Sequence, residues 1–221
     1  MQDRTIAQPA AGIEVVGTTN KVLKNTYLLL AMSLAFSALT AYLARGAAPL
    51  NPWVFLGGFI GLSFLTQILA NSAWGLLGVF AFTGFVGFAI GPLLNALMQS
   101  SVGSAIVMQA LGGTAVIFLG LSAYALTTKT DFSFLSGFIT AGAIVLLLGV
   151  VAVLVFKMPT LHLVLSAGFM LFSSAIILFQ TGQIINGGER NYILATITLY
   201  ASIYNIFISL LNILMALSGD D

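Results

Sequence analysis

Five polar side chains in the last apolar segment have the spacing of one helical face. This polar stripe, with members 4, 3, 4 and 3 residues apart, consists of Thr198, Ser202, Asn205, Ser209 and Asn212. Such intervals place side chains on the same side of an α-helix, and the stripe is about 20 Å long at 1.5 Å per residue. Hydroxyl and amide groups are costly in apolar surroundings without a partner. The spacing therefore predicts that the stripe faces the interior of a helical bundle.

A second set of polar residues precedes the polar stripe by one segment. Ser166, Ser173 and Gln180 recur every seven residues, which also keeps them on one helical face. The two sets can form a hydrogen-bonded seam between helices, at roughly 0.6 kcal/mol per bond on average in a membrane. They can equally line a hydrated path along a central helix, and the spacing alone allows both.

Other kinds of chemistry have few candidate residues in this chain. It has no Cys and a single His, and 6% of its residues are charged. His162 lies near Lys157 and Pro159 at the edge of an apolar segment, where an interfacial side chain is a simpler interpretation than a metal ligand. The Ser and Thr residues have no visible base to activate them as nucleophiles. We therefore expect no enzyme active site, no metal and no cofactor, and the lack of a basic cluster predicts no nucleic-acid binding.

The composition predicts an integral membrane protein. Hydrophobic residues make up 59% of the 221 residues, whereas roughly a quarter of a soluble domain is charged. The apolar runs are about twice as long as barrel strands and do not alternate with polar residues, which favours helices. The sequence therefore predicts an all-α fold of seven transmembrane helices. Their approximate limits are 21–44, 52–69, 73–98, 102–126, 132–156, 161–185 and 191–217.

Short polar segments flank the predicted spans, at residues 1–20 and 218–221. The apolar run that begins at Val22 is too long for the core of a signal peptide, so we expect an uncleaved first span. Basic residues favour the cytoplasmic side. A cytoplasmic N-terminus puts five of the seven basic residues inside, namely Arg4, Lys21, Lys24, Lys129 and Arg190. Arg45, Lys157 and the C-terminus then lie outside.

Small residues in the third span predict close helix packing. Thr83, Gly87, Gly91 and Asn95 recur every four residues, and small side chains let neighbouring backbones approach in a membrane. The same spacing occurs at Gly57 and Gly61 and again at Ser133, Gly137 and Ala141, so we expect packing there too. Pro92 removes one helix hydrogen bond. We expect a kink or break at residues 90–92 that faces protein, with Asn95 or a neighbouring helix as partner for the freed carbonyl.

Several stretches carry recognisable motifs. The third span reads GFVGFAIGPLLNALM at residues 84–98, and the C-terminal region reads INGGERNYILATITLYASIYNIFISLL from residue 185. The first is a Gly-rich helix that runs into Gly-Pro and then Leu, which resembles the signature of the Bax inhibitor-1 family, and the resemblance extends from about residue 20 to the C-terminus. It implies seven helices with the seventh near the centre of the bundle.

The resemblance implies two different activities, each belonging to one branch of the family. Several members are pH-sensitive calcium leak pathways whose sensor is a pair of aspartates in the sixth and seventh helices, where two close carboxylates share a proton. The corresponding positions here are Gln180 and Ser202, neither of which titrates, so that switch cannot operate. We expect the amide of Gln180 to keep the hydrogen bond across to the seventh helix, and Gly187–Gly188 to allow a tight turn between the two.

The bacterial YccA branch is the better match, and its members bind the membrane-anchored protease FtsH and restrain it. The resemblance therefore implies an inner-membrane regulator whose partners are an FtsH-type protease and the lipid bilayer. The polar N-terminal segment is one part that such a protease could grip, and it can equally have no function. A calcium-type leak pathway or transporter without the two-aspartate switch is the alternative.

Overall fold

Seven long helices form the protein, which we describe from a computed structural model for residues 10–128 and 130–219. They are α1 (Ala10–Leu43), α2 (Pro52–Leu69), α3 (Trp74–Met98), α4 (Gly103–Thr127), α5 (Leu135–Phe156), α6 (Pro159–Ile185) and α7 (Tyr192–Ser218). Short 3-10 turns follow α1 at Ala44–Gly46 and precede α5 at Phe132–Phe134. Each helix is long and apolar enough to cross a membrane. The predicted all-α fold with seven membrane-length helices is confirmed.

The first helix starts earlier than the sequence pattern suggests. α1 begins at Ala10, whereas the apolar stretch that can cross a membrane begins only at Thr19. Part of the polar N-terminal segment is therefore helical, and residues 1–9 lie outside the described part of the chain. The helical start has a local reason, since residues 10–18 contain neither Pro nor a long run of β-branched residues.

α7 lies at the centre of the bundle, as expected. It contacts α1, α2, α3, α4 and α6, whereas α5 packs mainly on α6. In the most apolar stretch of α7, 61% of the residues are buried, and in that of α5 none are. The polar stripe of α7 is therefore held inside the protein by five surrounding helices, and α5 is a peripheral helix with most of its surface outward.

The turn between α6 and α7 has a specific capping geometry. Gly187 adopts a left-handed φ of 74°, which glycine tolerates without strain. The Gly188 N–H then donates to the Gln183 carbonyl at 2.9 Å, and the Gly187 N–H donates to the Ile184 carbonyl at 3.2 Å. This pair of bonds is a Schellman cap, which satisfies carbonyls at the end of α6. Gln183 thus ends the helix through its backbone, and the predicted tight turn is present.

Close packing between α1 and α3 depends on glycine. A Cβ added to Gly87 would collide with the Ser37 carbonyl and the Thr40 hydroxyl, and one added to Gly91 would collide with the Ala41 carbonyl. Only hydrogen fits at these two positions, so the backbones approach as the small-residue spacing of α3 predicts.

The same prediction is wrong for α2 and α5. Cβ atoms added to Gly57, Gly61 or Gly137 would meet nothing within 4 Å, and these residues are exposed. α2 and α5 each use one face for packing, and the small residues of these two patterns lie on the outward face instead. Spacing alone identifies a face of a helix but does not say what covers it.

Pro92 is buried, so this part of α3 faces protein as expected. The helix nevertheless continues from Trp74 to Met98 without a break at Pro92. Asn95, which we expected to supply a partner for the freed carbonyl, lines a groove between α1 and α4 instead. The expected break is therefore absent, and Gly91 and Pro92 are both buried within a continuous helix.

Candidate functional site

The polar stripe of α7 lies in the interior, but it forms few bonds to α6. Ser202 and Ser209 are buried, and Thr198, Asn205 and Asn212 are half-buried. The Ser202 hydroxyl donates to the Thr198 carbonyl of its own helix at 2.8 Å, a common way for a hydroxyl to satisfy itself within a membrane helix. Only one direct bond joins the two polar sets in the described residues, from Asn212 Nδ2 to Ser166 Oγ at 3.3 Å. The described residues therefore do not form a continuous hydrogen-bonded seam between α6 and α7.

The half of the polar stripe nearer the C-terminus lines a cavity of about 440 Å³. This cavity, which we call the α7 cavity, lies between α2, α5, α6 and α7. Its polar lining consists of Asn205, Ser209, Asn212, Ser166 and His162. The remaining walls are largely apolar, with Leu146 and Phe172 among them. A space of this size with several polar partners can hold ordered water.

Three polar residues outside the α7 cavity are enclosed, namely Ser173 and Gln180 of α6 and Ser202 of the polar stripe. Gln180 and Ser173 are 7% and 0% exposed, and Ser202 is 1% exposed. Neither Gln180 Nε2 nor Ser173 Oγ has a hydrogen-bond partner in the described part of the chain. The expectation that the Gln180 amide bonds across to α7 is therefore wrong. Neither these three residues nor Thr198 lines the α7 cavity, so the two ends of the polar stripe have different surroundings.

Sequence reasoning missed Tyr200, which lies between two members of the stripe on α7. Its side chain is 1% exposed. Its hydroxyl lies 2.6 Å from Ser37 Oγ and donates to the Thr83 carbonyl at 3.3 Å. These contacts connect α7 to α1 and α3 at the level of the glycine packing. A phenol in the middle of an apolar segment was the only sequence signal, because a buried Tyr hydroxyl usually has a partner.

A polar cluster connects two turns at the end of the bundle where α6 ends and α7 begins. Asn191 caps α7, since its Oδ1 accepts from the Ile193 N–H at 2.9 Å. Its Nδ2 donates to the Ala70 carbonyl at 3.0 Å and to Asn71 Oδ1 at 2.9 Å. Glu189 Oε1 accepts from the Asn191 N–H at 2.7 Å. One Asn therefore ties the α6–α7 turn to the α2–α3 turn.

The loop between α4 and α5 lies at the same end of the bundle. Phe132 contacts α6 at the Gly182 position, which places this loop beside the end of α6. The Asp131 carboxylate accepts from Ser133 Oγ at 2.6 Å and from the Ser133 N–H at 3.0 Å. These bonds lower the pKa of Asp131. Because they favour the ionised carboxylate, their stabilising effect is present above its unfolded pKa and is lost as the pH falls.

The sequence matches a family model described as inhibitor of apoptosis-promoting Bax1 over residues 19–219. An uncharacterised protein of Pseudomonas aeruginosa is 57% identical over 202 residues, which cover 90% of this chain and 91% of the relative. Escherichia coli strain K12 has a relative named modulator of FtsH protease YccA, which is 51% identical over 205 residues, or 92% of this chain and 93% of the relative. The matching protein of Escherichia coli strain CFT073, with the same identity and coverage, is named inner membrane protein YccA.

Proposed function

Because the chain belongs to the Bax inhibitor-1 family, we propose that it is an inner-membrane regulator that binds an FtsH-type protease and restrains it. The observation that carries this proposal is the 51% identity to the named modulator of FtsH protease. The identity covers 92% of this chain and 93% of the relative, so the whole seven-helix bundle is comparable. An inner-membrane location is supported by the name of the relative from Escherichia coli strain CFT073 and by the seven apolar helices.

Restraint of a membrane protease requires a rigid surface near the membrane on the protease's side. The turn-to-turn bonds of Asn191 give one end of the bundle such rigidity, since they link α2–α3 to α6–α7. With the orientation predicted from the basic residues, this end is cytoplasmic. The first part of α1 lies at the same end, where Val22 packs with Ile184 and Ala195. We propose that the protease contacts this end.

Affinity purification from bacterial membranes tests the proposal. The full chain is expected to co-purify with FtsH and to slow the turnover of SecY-type membrane substrates. Replacing residues 2–9 with a Gly/Ser segment of equal length tests the N-terminal segment, and the matched control replaces residues 219–221 at the other end in the same way. If FtsH does not co-purify and substrate turnover is the same with and without the protein, the proposal is wrong.

A leak pathway is the second candidate, because the α7 cavity brings polar groups together beside apolar walls. In this conformation Ser202 of the polar stripe and Gln180 of α6 are enclosed, so conduction requires the bundle to open around them. Reconstitution into liposomes that contain a calcium-sensitive dye tests this function at pH 6 and pH 8. Flux equal to that of protein-free liposomes at both pH values would exclude it.

The family's pH-sensor positions offer a sharper test of the same candidate. The double variant Gln180→Asp with Ser202→Asp introduces two carboxylates at enclosed positions, one on α6 and one on α7, where a shared proton gives pH-dependent behaviour. The matched control is Gln180→Asn with Ser202→Thr, which adds no charge. An unchanged pH profile in the double Asp variant would contradict the assumed proximity of the two positions.

A further inference from the structure

A groove of about 780 Å³ opens between α1 and α4. α3 and α7 form its floor, where Ile90 and Phe207 are each less than 9% exposed. Its rim includes Leu111 and Leu119 of α4, which are 51% and 62% exposed. The groove is therefore an apolar trough that faces the surrounding bilayer.

The length of the groove matches one leaflet of a membrane. Along α1 its lining extends from Leu34 to Arg45, which is about 16 Å at 1.5 Å per residue. The hydrocarbon core of a bilayer is about 30 Å thick, so the groove covers about half of it. At its inner end the rings of Tyr27 of α1 and Phe118 of α4 approach to 6.0 Å between centroids and close the groove.

A positive charge lies at the outer end of the groove. Arg45 is exposed, and its guanidinium carbon lies 4.3 Å from the centre of the Tyr42 ring. Asp131 and Glu189, the acidic side chains whose contacts the structure describes, belong to loops at the opposite end of the bundle. A guanidinium readily binds phosphate oxygens. The groove thus combines a cation at the depth of lipid headgroups with an apolar trough below it.

We propose that this groove binds one acyl chain of an anionic phospholipid from the leaflet next to Arg45, with the lipid phosphate at the guanidinium. The one-leaflet length and the position of the charge both suit a lipid. A transmembrane helix suits the groove less well, because it would have to cross the whole ~30 Å core and the groove closes where Tyr27 meets Phe118. This site is separate from the α7 cavity, although Tyr204 lines both.

Native mass spectrometry of the purified full chain tests whether the positive charge of Arg45 selects an anionic lipid. The protein is mixed in detergent with equal amounts of phosphatidylglycerol and phosphatidylcholine of the same chain length, and the retained lipid is identified. We expect one retained phosphatidylglycerol. Arg45→Gln should reduce the preference for phosphatidylglycerol about fivefold, since a basic residue near a membrane surface contributes roughly 1 kcal/mol. Lys157→Gln, which removes the other basic residue predicted at that end, is the control and should leave the preference unchanged.

A pair of bulky substitutions on α4 tests the trough itself. Ala115 lines the groove and Ala105 does not, and both are exposed. Ala115→Trp should abolish lipid retention, and Ala105→Trp should leave it as in the parent, with circular dichroism verifying that both variants are folded. The proposal would be overturned if the two Trp variants retained lipid equally, or if the parent retained none. It would also be overturned if Arg45→Gln left the lipid preference unchanged, or if a polypeptide occupied the groove in place of the lipid.

Discussion

Replacing Gly87 with Ala should destabilise the bundle, because α1 and α3 leave no space for a methyl group there. The added Cβ would overlap the Ser37 carbonyl and the Thr40 hydroxyl and lie 2.8 Å from Ser37 Oγ. The carbonyl is backbone, so it cannot rotate away, and the two helices must separate. Separation also strains the 2.6 Å contact between Ser37 Oγ and the Tyr200 hydroxyl.

The expected loss follows from these two effects. Overpacking a close interface costs about 1–3 kcal/mol, and an interhelical hydrogen bond in a membrane protein contributes roughly 0.6 kcal/mol. We therefore expect Gly87→Ala to lower the free energy of unfolding by about 2–3 kcal/mol. Gly57→Ala is the matched control, since a Cβ there meets nothing within 4 Å and its effect should stay within about 1 kcal/mol.

Reversible unfolding in mixed micelles measures this difference. The purified protein is titrated with SDS, and loss of structure is followed by the fluorescence of Trp53 and Trp74 and by circular dichroism. Free energies of unfolding that agree within about 0.5 kcal/mol for Gly87→Ala and Gly57→Ala would refute the packing explanation, because the two substitutions differ only in what surrounds the new methyl group.

Three further predictions concern polar groups and orientation. Tyr200→Phe should lower the free energy of unfolding by about 1 kcal/mol in the same titration, since it removes the bonds to α1 and α3; an equal loss for Tyr204→Phe would contradict this. Gln180→Leu should be neutral or stabilising, because Nε2 is buried without a partner, and a loss above about 1 kcal/mol would reveal a bond that the structure lacks. The chain has no Cys, so single substitutions can map its orientation: in intact cells a membrane-impermeant maleimide should label Ser101→Cys in the α3–α4 turn and not Ser72→Cys in the α2–α3 turn. The reverse labelling pattern would contradict the cytoplasmic N-terminus.

Two polar features illustrate how far spacing predicts a membrane bundle. The intervals in α7 correctly indicate an inward face, because helix periodicity is a local property and lipid excludes polar groups. The same intervals cannot tell whether an inward hydroxyl bonds to its own helix, as Ser202 does, or to a neighbour, as Asn212 does. Which partner the hydroxyl or amide finds depends on how two helices are positioned relative to each other along the membrane normal. Residues far apart in sequence determine that position.

The glycine positions show the same limit. Gly87 and Gly57 have similar sequence surroundings, each four residues from a second glycine. In the structure one is enclosed by α1 and the other faces outward. Whether a glycine is a packing position or an exposed one depends on whether another helix covers it. The sequence of a single helix does not contain that information.

Local properties of the sequence determine the membrane class, the number of helices, the inward face of α7 and the glycine-rich turn before it. Hydropathy, periodicity and backbone freedom are each set within one turn or one span, so they can be read residue by residue. Tertiary structure alone decides that Gln180 lacks a partner, that Tyr200 connects three helices, and that Arg45 lies at the end of an apolar groove. These features arise where helices distant in sequence meet, and their relative depth and rotation are set by packing over the whole bundle.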